Sequence, residues 1–227
     1  MAAGAKGRVS PGMKRRSPVL AVAVVALLWA SAPTAQAGCG STQVRHAQHK
    51  RNKTRAPLIV GDSVLLGAMN ETAAAGFDLN TRGCRQWGEG MSVLRSYKRA
   101  GRLPHLVVME LGTDWTVSIR QIRAAMALLG PDRVLGLMTP REVGGFGGSD
   151  AAHMREVARR FPDRAVLLDW VTYTRGRGSW FQPDGIHLTL AGAAGFGAFL
   201  KTALPFADPV REEIVVGAVE SNPPQQP

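Results

Sequence analysis

Five short apolar runs, each followed by a longer stretch of helical period, constrain this chain more than any other feature. Leu58-Ile59-Val60, Phe77 to Thr81, Leu106 to Leu111, Val134 to Met138 and Ala165 to Leu168 read as strands. Val64 to Ala75, Gly90 to Ala100, Thr116 to Leu129, Asp150 to Arg160 and Thr189 to Leu204 read as helices. Gly61, Gly76, Gly101, Gly130 and Pro140 punctuate the alternation. Strands separated by helices specify a parallel sheet covered on both faces, and right-handed crossovers make it an α/β protein, a three-layer α/β/α sandwich of five strands. Ser149 and Thr189 are the expected N-caps of the last two helices. Residues 144–149, GGFGGS, read as a flexible loop.

The chain has 227 residues, enough for one domain with a real core plus appendages. Its formal charge of +11 is concentrated before Ala56. From there on, 18 basic and 17 acidic residues nearly cancel, so the main domain carries no basic excess and nucleic acid is not an expected partner. Residues 1–37 have the order of a secretory signal peptide. Lys14-Arg15-Arg16 precede an apolar run of 11 residues, Val19 to Trp29, and Ala35-Gln36-Ala37 is a small-x-small cleavage pattern. An uncleaved membrane anchor is the alternative. Residues 38–55 read as a basic linker that could touch the membrane or the cell wall, residues 56–204 as the functional domain, and residues 205–227 as a Pro-rich flexible tail. Export implies an extracytoplasmic location, where Cys39 and Cys84 would pair as a disulfide. The rival reading makes Cys39 a lipoprotein-type cysteine after Gln36-Ala37-Gly38. Neither cysteine has a zinc-site partner pattern, and no metal is expected.

Ligands of open parallel sheets gather beyond the carboxyl ends of the strands. Gly61-Asp62-Ser63, Glu110 to Asp114, Met138-Thr139-Pro140 and the segment Pro183-Asp184-Gly185-Ile186-His187 all fall there. Ser63 sits where the first strand turns into a helix, whose free N–H groups favour developing negative charge. A serine needs a base to become a nucleophile. His187 can be that base, with Asp184 three residues earlier accepting from its other ring nitrogen. Read singly, Ser63 is also a plausible N-cap and His187 a loop residue before the last helix.

Gly61-Asp62-Ser63 and Asp184-Gly185-Ile186-His187 resemble the first and last blocks of the SGNH, or GDSL-type, hydrolases, over about Pro57 to Leu204. The resemblance implies a flavodoxin-like sheet and ester hydrolysis or acyl transfer without metal or cofactor. The stretches Gly83-Cys84-Arg85-Gln86 and Glu110-Leu111-Gly112-Thr113 are most similar to extracytoplasmic domains that move acetyl groups on cell-wall polysaccharide. The implied substrate is a small ester or an acylated glycan. The implied oxyanion donors are the backbone N–H groups of Ser63 and of a residue near Cys84. The family's third donor is an Asn side chain, and Asp114 stands in its place here. An ionised carboxylate accepts hydrogen bonds and donates none. Three outcomes follow: a protonated Asp114, a slower enzyme relying on backbone donors, or a secreted module that binds glycan or acyl ligand without catalysis. Arg85, Thr113, Trp115 and Trp180 are the expected substrate-binding residues, the two tryptophans by stacking on a sugar ring.

Overall fold

A computed structural model describes Met1, residues 39–49 and residues 55–209. The expected signal peptide apart from Met1, residues 38 and 50–54 of the expected linker, and the expected tail from residue 210 lie outside the described residues.

The five expected strands all form: β2 (Leu58–Gly61), β3 (Asp78–Thr81), β4 (Leu106–Glu110), β5 (Val134–Met138) and β6 (Ala165–Leu168). They pair in parallel in the order β3-β2-β4-β5-β6. A sixth strand, β1 (Gln43–Arg45), adds itself antiparallel to β3, with Gln43 opposite Thr81 and Arg45 opposite Leu79. This corrects the expectation of a plain linker there. All three β1 residues are exposed, so the strand is held by its backbone ladder and leaves no apolar signature. Ala47 N–H donates to Asp78 Oδ1 (2.9 Å) and Gln48 N–H to Ala73 O (2.9 Å), which extends the attachment. The Cys39 and Cys84 sulfurs are bonded, with the two Cα atoms 5.1 Å apart. That bond occupies the sulfur a lipid would need, which removes the lipoprotein reading of Cys39.

Alternate strand residues feed opposite cores, as the period of two requires. Ile59, Leu79, Leu106 and Val108 face one core with α1 (Ser63–Leu66), α2 (Met69–Ala74) and α7 (Leu190–Leu200). Leu58, Val60, Val107 and Met109 face the other with α3 (Trp87–Arg99), α4 (Ile119–Leu129) and α5 (Ser149–Arg160). The result is the expected three-layer sandwich.

Several helix bounds differ from the sequence reading. The first helix breaks at Gly67-Ala68 into two short pieces, so Ser63 opens a single turn and no long summed dipole stands behind it. α3 starts early because Gln86 and Glu89 close a reciprocal capping box. Gly148, not Ser149, is the N-cap of α5. Ser149 instead becomes the first helical residue and donates to Asp150 Oδ1. A short helix α6 (Trp170–Tyr173) follows β6. Thr189 caps α7 as expected, accepting from Gly192 N–H at 3.2 Å. The chain then tightens into a 3-10 turn over Lys201–Ala207. By length and composition Leu190–Ala207 could cross a membrane, but its Phe196, Leu200 and Ala203 are buried in the first core. The GGFGGS loop is braced by hydrogen bonds from Glu142 N–H to Phe146 O (2.7 Å) and from Gly145 N–H to Glu142 O (2.8 Å).

Candidate active site

The order of the parallel strands reverses between β2 and β4, and the loops leaving their carboxyl ends carry Ser63 and Glu110 to Asp114. Such a reversal opens a crevice at the carboxyl edge. After β2, Asp62 accepts Val64 N–H on Oδ1 at 3.0 Å and so caps the turn that begins at Ser63. Asp62 is fully buried and Ser63 is 6% exposed.

His187 reaches Ser63 from the far end of the domain. A compact loop delivers it. Phe181 and Leu188 pair as an antiparallel bridge, Gln182 N–H donates to His187 O (2.7 Å), and Gly185 N–H donates to Gln182 O (2.9 Å). Arg141 clamps this loop from outside. Its Nε donates to Gly185 O (2.9 Å), its Nη1 to Thr174 Oγ1 (2.7 Å), and its guanidinium lies 3.7 Å from the Phe181 ring centre. Gly185 has φ +74°, and a Cβ there would lie 3.1 Å from Gly145 N, so both conformation and space call for glycine.

His187 Nε2 stands 3.0 Å from Ser63 Oγ, and Nδ1 stands 2.6 Å from Asp184 Oδ2. A carboxylate beside Nδ1 fixes the proton on that nitrogen, leaving Nε2 as the acceptor for the serine hydroxyl. Asp184 Oδ1 meanwhile accepts the N–H groups of Ile186 (2.8 Å) and His187 (3.0 Å). Partial burial pushes the Asp184 carboxyl up, but the hydrogen bonds from the His187 ring and these two N–H groups outweigh it. Its pKa falls below the ordinary carboxylate range.

Beneath this surface constellation lies a buried pair of acids. Burial pushes Asp62 up to about 7, against the Val64 hydrogen bond, and Asp114 adds repulsion. Burial and the Asp62 charge together raise Glu110 well above the ordinary range. The Thr113 side chain works against the rise of the Asp62 pKa, while buried Thr113 Oγ1 and Asp62 Oδ2 make no hydrogen bond of ordinary geometry. In the sequence Glu110 stands out only as part of the stretch Glu110 to Asp114. The available signal was an acid closing an otherwise apolar strand. Arg141 gave no such signal, since one arginine in a loop looks like any other.

The other expected site residues divide. Cys84 sits in the left-handed region at φ +53°, tied to Cys39. Asp114 and Trp115 are exposed on the loop after β4, Trp115 by 67%. One expectation of substrate contact, Arg85, is corrected, and Trp180 has packing partners. Arg85 is 3% exposed and spends its donors inside the protein, on Gly61 O (3.1 Å), Asn80 O (2.6 Å) and Asn80 Oδ1 (2.8 Å). It ties the ends of β2 and β3 together. Trp180 stacks on Trp170 with ring centres 6.1 Å apart, and Arg177 covers it at 4.5 Å. Gly195 approaches so closely that a Cβ there would lie 2.3 Å from the Trp180 ring, so part of that ring packs on α7. Among the described residues no group of three or more His, Cys, Asp or Glu side chains is placed to hold a metal ion.

No protein-family model matches the chain. It is 25% identical over 149 residues to the peptidoglycan O-acetyltransferase OatA of Listeria monocytogenes, covering 65% of this chain and 24% of that protein. It is 23% identical over 167 residues to YrhL of Bacillus subtilis, covering 72% of this chain and 26% of that protein. The chain thus spans about a quarter of the length of these curated relatives. Among solved structures, the C-terminal catalytic domain of the Streptococcus pneumoniae peptidoglycan O-acetyltransferase A superposes with a TM-score of 0.60 at 22% identity, covering 67% of this chain and 93% of that one. The expected likeness to domains that move acetyl groups on cell-wall polysaccharide is met by relatives named as peptidoglycan O-acetyltransferases, and the solved neighbour shares the fold.

Proposed function

We propose that this chain is an SGNH-type serine ester hydrolase or O-acyltransferase that acts outside the cytoplasm on a short acyl ester, with O-acetylated cell-wall glycan as the substrate class. One observation carries the reading: Ser63 Oγ, both ring nitrogens of His187 and Asp184 Oδ2 lie in one hydrogen-bonded line, with steps of 3.0 and 2.6 Å. The peptidoglycan named in the relatives' descriptions supports the substrate class and the cell-wall location.

The chemistry follows from the line. Ser63 Oγ attacks the ester carbonyl carbon as its proton passes to His187 Nε2. The carbonyl electron pair moves onto oxygen, where the N–H groups of Ser63 and Cys84 are the donors this reading assigns. Collapse expels the alcohol, which leaves with the proton held by His187. The acyl group then sits on Ser63 until water or a glycan hydroxyl, deprotonated by the same ring, takes it. Asp184 holds the ring and stabilises its charged form without taking the proton.

Exposed Asp114 favours a second reading, a catalytically impaired module that binds glycan or acyl ligand. A fluorophosphonate probe separates the two. Covalent labelling of Ser63, with turnover of an aryl acetate that is lost in Ser63→Ala, establishes the enzyme. An unlabelled serine with retained binding of acetylated peptidoglycan establishes the module.

A further inference from the structure

We infer that Glu110 is a positioning residue for the nucleophile: its buried carboxyl reaches from β4 across to β2, takes the Asp62 N–H and fixes the turn that presents Ser63. This rests on the reading of Ser63 as the nucleophile.

Three observations support it. Glu110 is the register partner of Gly61 on the neighbouring parallel strand, one residue before the turn. Glu110 Oε2 lies 3.2 Å from Asp62 N, and the backbone N–H of Leu65, one turn on, also favours its charged form. The carboxyl occupies the space that a side chain at residue 61 would fill, since a Cβ on Gly61 would lie 2.4 Å from Oε2. A glycine before the turn and an acid ending β4 are therefore two halves of one fitting. Placing an acid in this core is costly, and an apolar side chain would pack there without serving the backbone. Glu110 instead bridges the ends of the two strands at which the sheet order reverses.

The groups that face Glu110 set how it responds to pH. Asp62 on the nucleophile turn and Asp114 on the loop after β4 repel its charged form. Arg85, from the loop after β3, interacts favourably with both buried acids, and His187 opposes the shift of Asp62. Burial dominates, and the Glu110 pKa is raised. An acid raised on folding makes the folded state lose stability as pH climbs from the ordinary carboxylate range through the folded pKa. Its uncharged mimic lacks that loss.

The experiment compares wild type, Glu110→Gln and Glu110→Ala. Amide hydrogen exchange at Asp62, fluorophosphonate labelling of Ser63, and melting temperature from pH 4 to 9 are measured on each. Losing the acceptor in Glu110→Ala should speed Asp62 exchange by about tenfold or more. It should slow labelling by about 10- to 100-fold, the scale expected of a displaced reacting atom. Glu110→Gln keeps an acceptor oxygen and should restore most of both, and its melting temperature should gain on wild type as pH rises. Unchanged exchange at Asp62, or labelling of Glu110→Ala at the wild-type rate, overturns the inference. A wild type that does not label, yet whose Asp62 protection is lost in Glu110→Ala, sinks the serine-nucleophile reading and upholds the support of the turn.

Discussion

His187 and Asp184 are joined twice, by the ring Nδ1 at 2.6 Å from Oδ2 and by the backbone N–H of His187 at 3.0 Å from Oδ1. The carboxylate therefore sets both the tautomer of the ring and the path of the chain beneath it. Replacing it with Asn keeps the shape but offers an N–H where a proton acceptor is needed. The ring then turns its own N–H toward Ser63 and can no longer take the serine proton. Asp184→Asn should lower kcat toward an aryl acetate by about 10³- to 10⁴-fold. KM and the circular dichroism spectrum should hold. A loss under tenfold would remove Asp184 from the proposed machinery.

Asp114 stands exposed at the rim where the resemblance calls for a side-chain donor. A single such donor is worth about 100- to 1000-fold in rate. Asp114→Asn restores a donor and removes a repelling charge, so kcat should rise by about tenfold or more. Asp114→Ala removes only the charge and should rise less. Steady-state kinetics of the two variants tests this, and an unchanged rate in Asp114→Asn defeats this account of the position.

The Cys39–Cys84 bond spans a sequence separation of 45 residues. Cross-links of this size stabilise by about 2–4 kcal/mol, chiefly by restricting the unfolded chain. Dithiothreitol should lower the wild-type melting temperature and leave a Cys39→Ser, Cys84→Ser double variant unmoved at the lower value. Equal melting temperatures for oxidised wild type and the double variant would show that the bond contributes nothing.

Gly185 combines φ +74° with a close neighbour at Gly145. Ala there meets both penalties, and the backbone part alone costs about 1 kcal/mol. Because Gly185 lies between Asp184 and His187, the strain falls on the loop that aims the ring. Gly185→Ala should lower the denaturation midpoint and reduce kcat more than it raises KM. Denaturant titration and kinetics on the same preparation read the two effects.

The parallel strands were legible because burial on both faces writes them as nearly unbroken apolar runs. β1 was not, since a three-residue exposed strand held by backbone bonds needs no particular side chains. The same logic divides the site. Ser63, Asp184 and His187 stand out because the proposed proton relay demands particular residue types at the strand ends. Arg85 misleads because its type suits ligand binding, whereas its burial rests on partners in β2 and β3, Gly61 and Asn80. Glu110 went unassigned as a site residue because its use depends on the glycine opposite it in the sheet.

Since β1 runs against β3, its first residue sits at the end of the sheet where Ser63 emerges, and Cys39 is stapled to the loop leaving that same end. Residues 39–45 are therefore fastened to the rim that carries Ser63 twice over, by a backbone ladder to β3 and by sulfur to the loop that follows it.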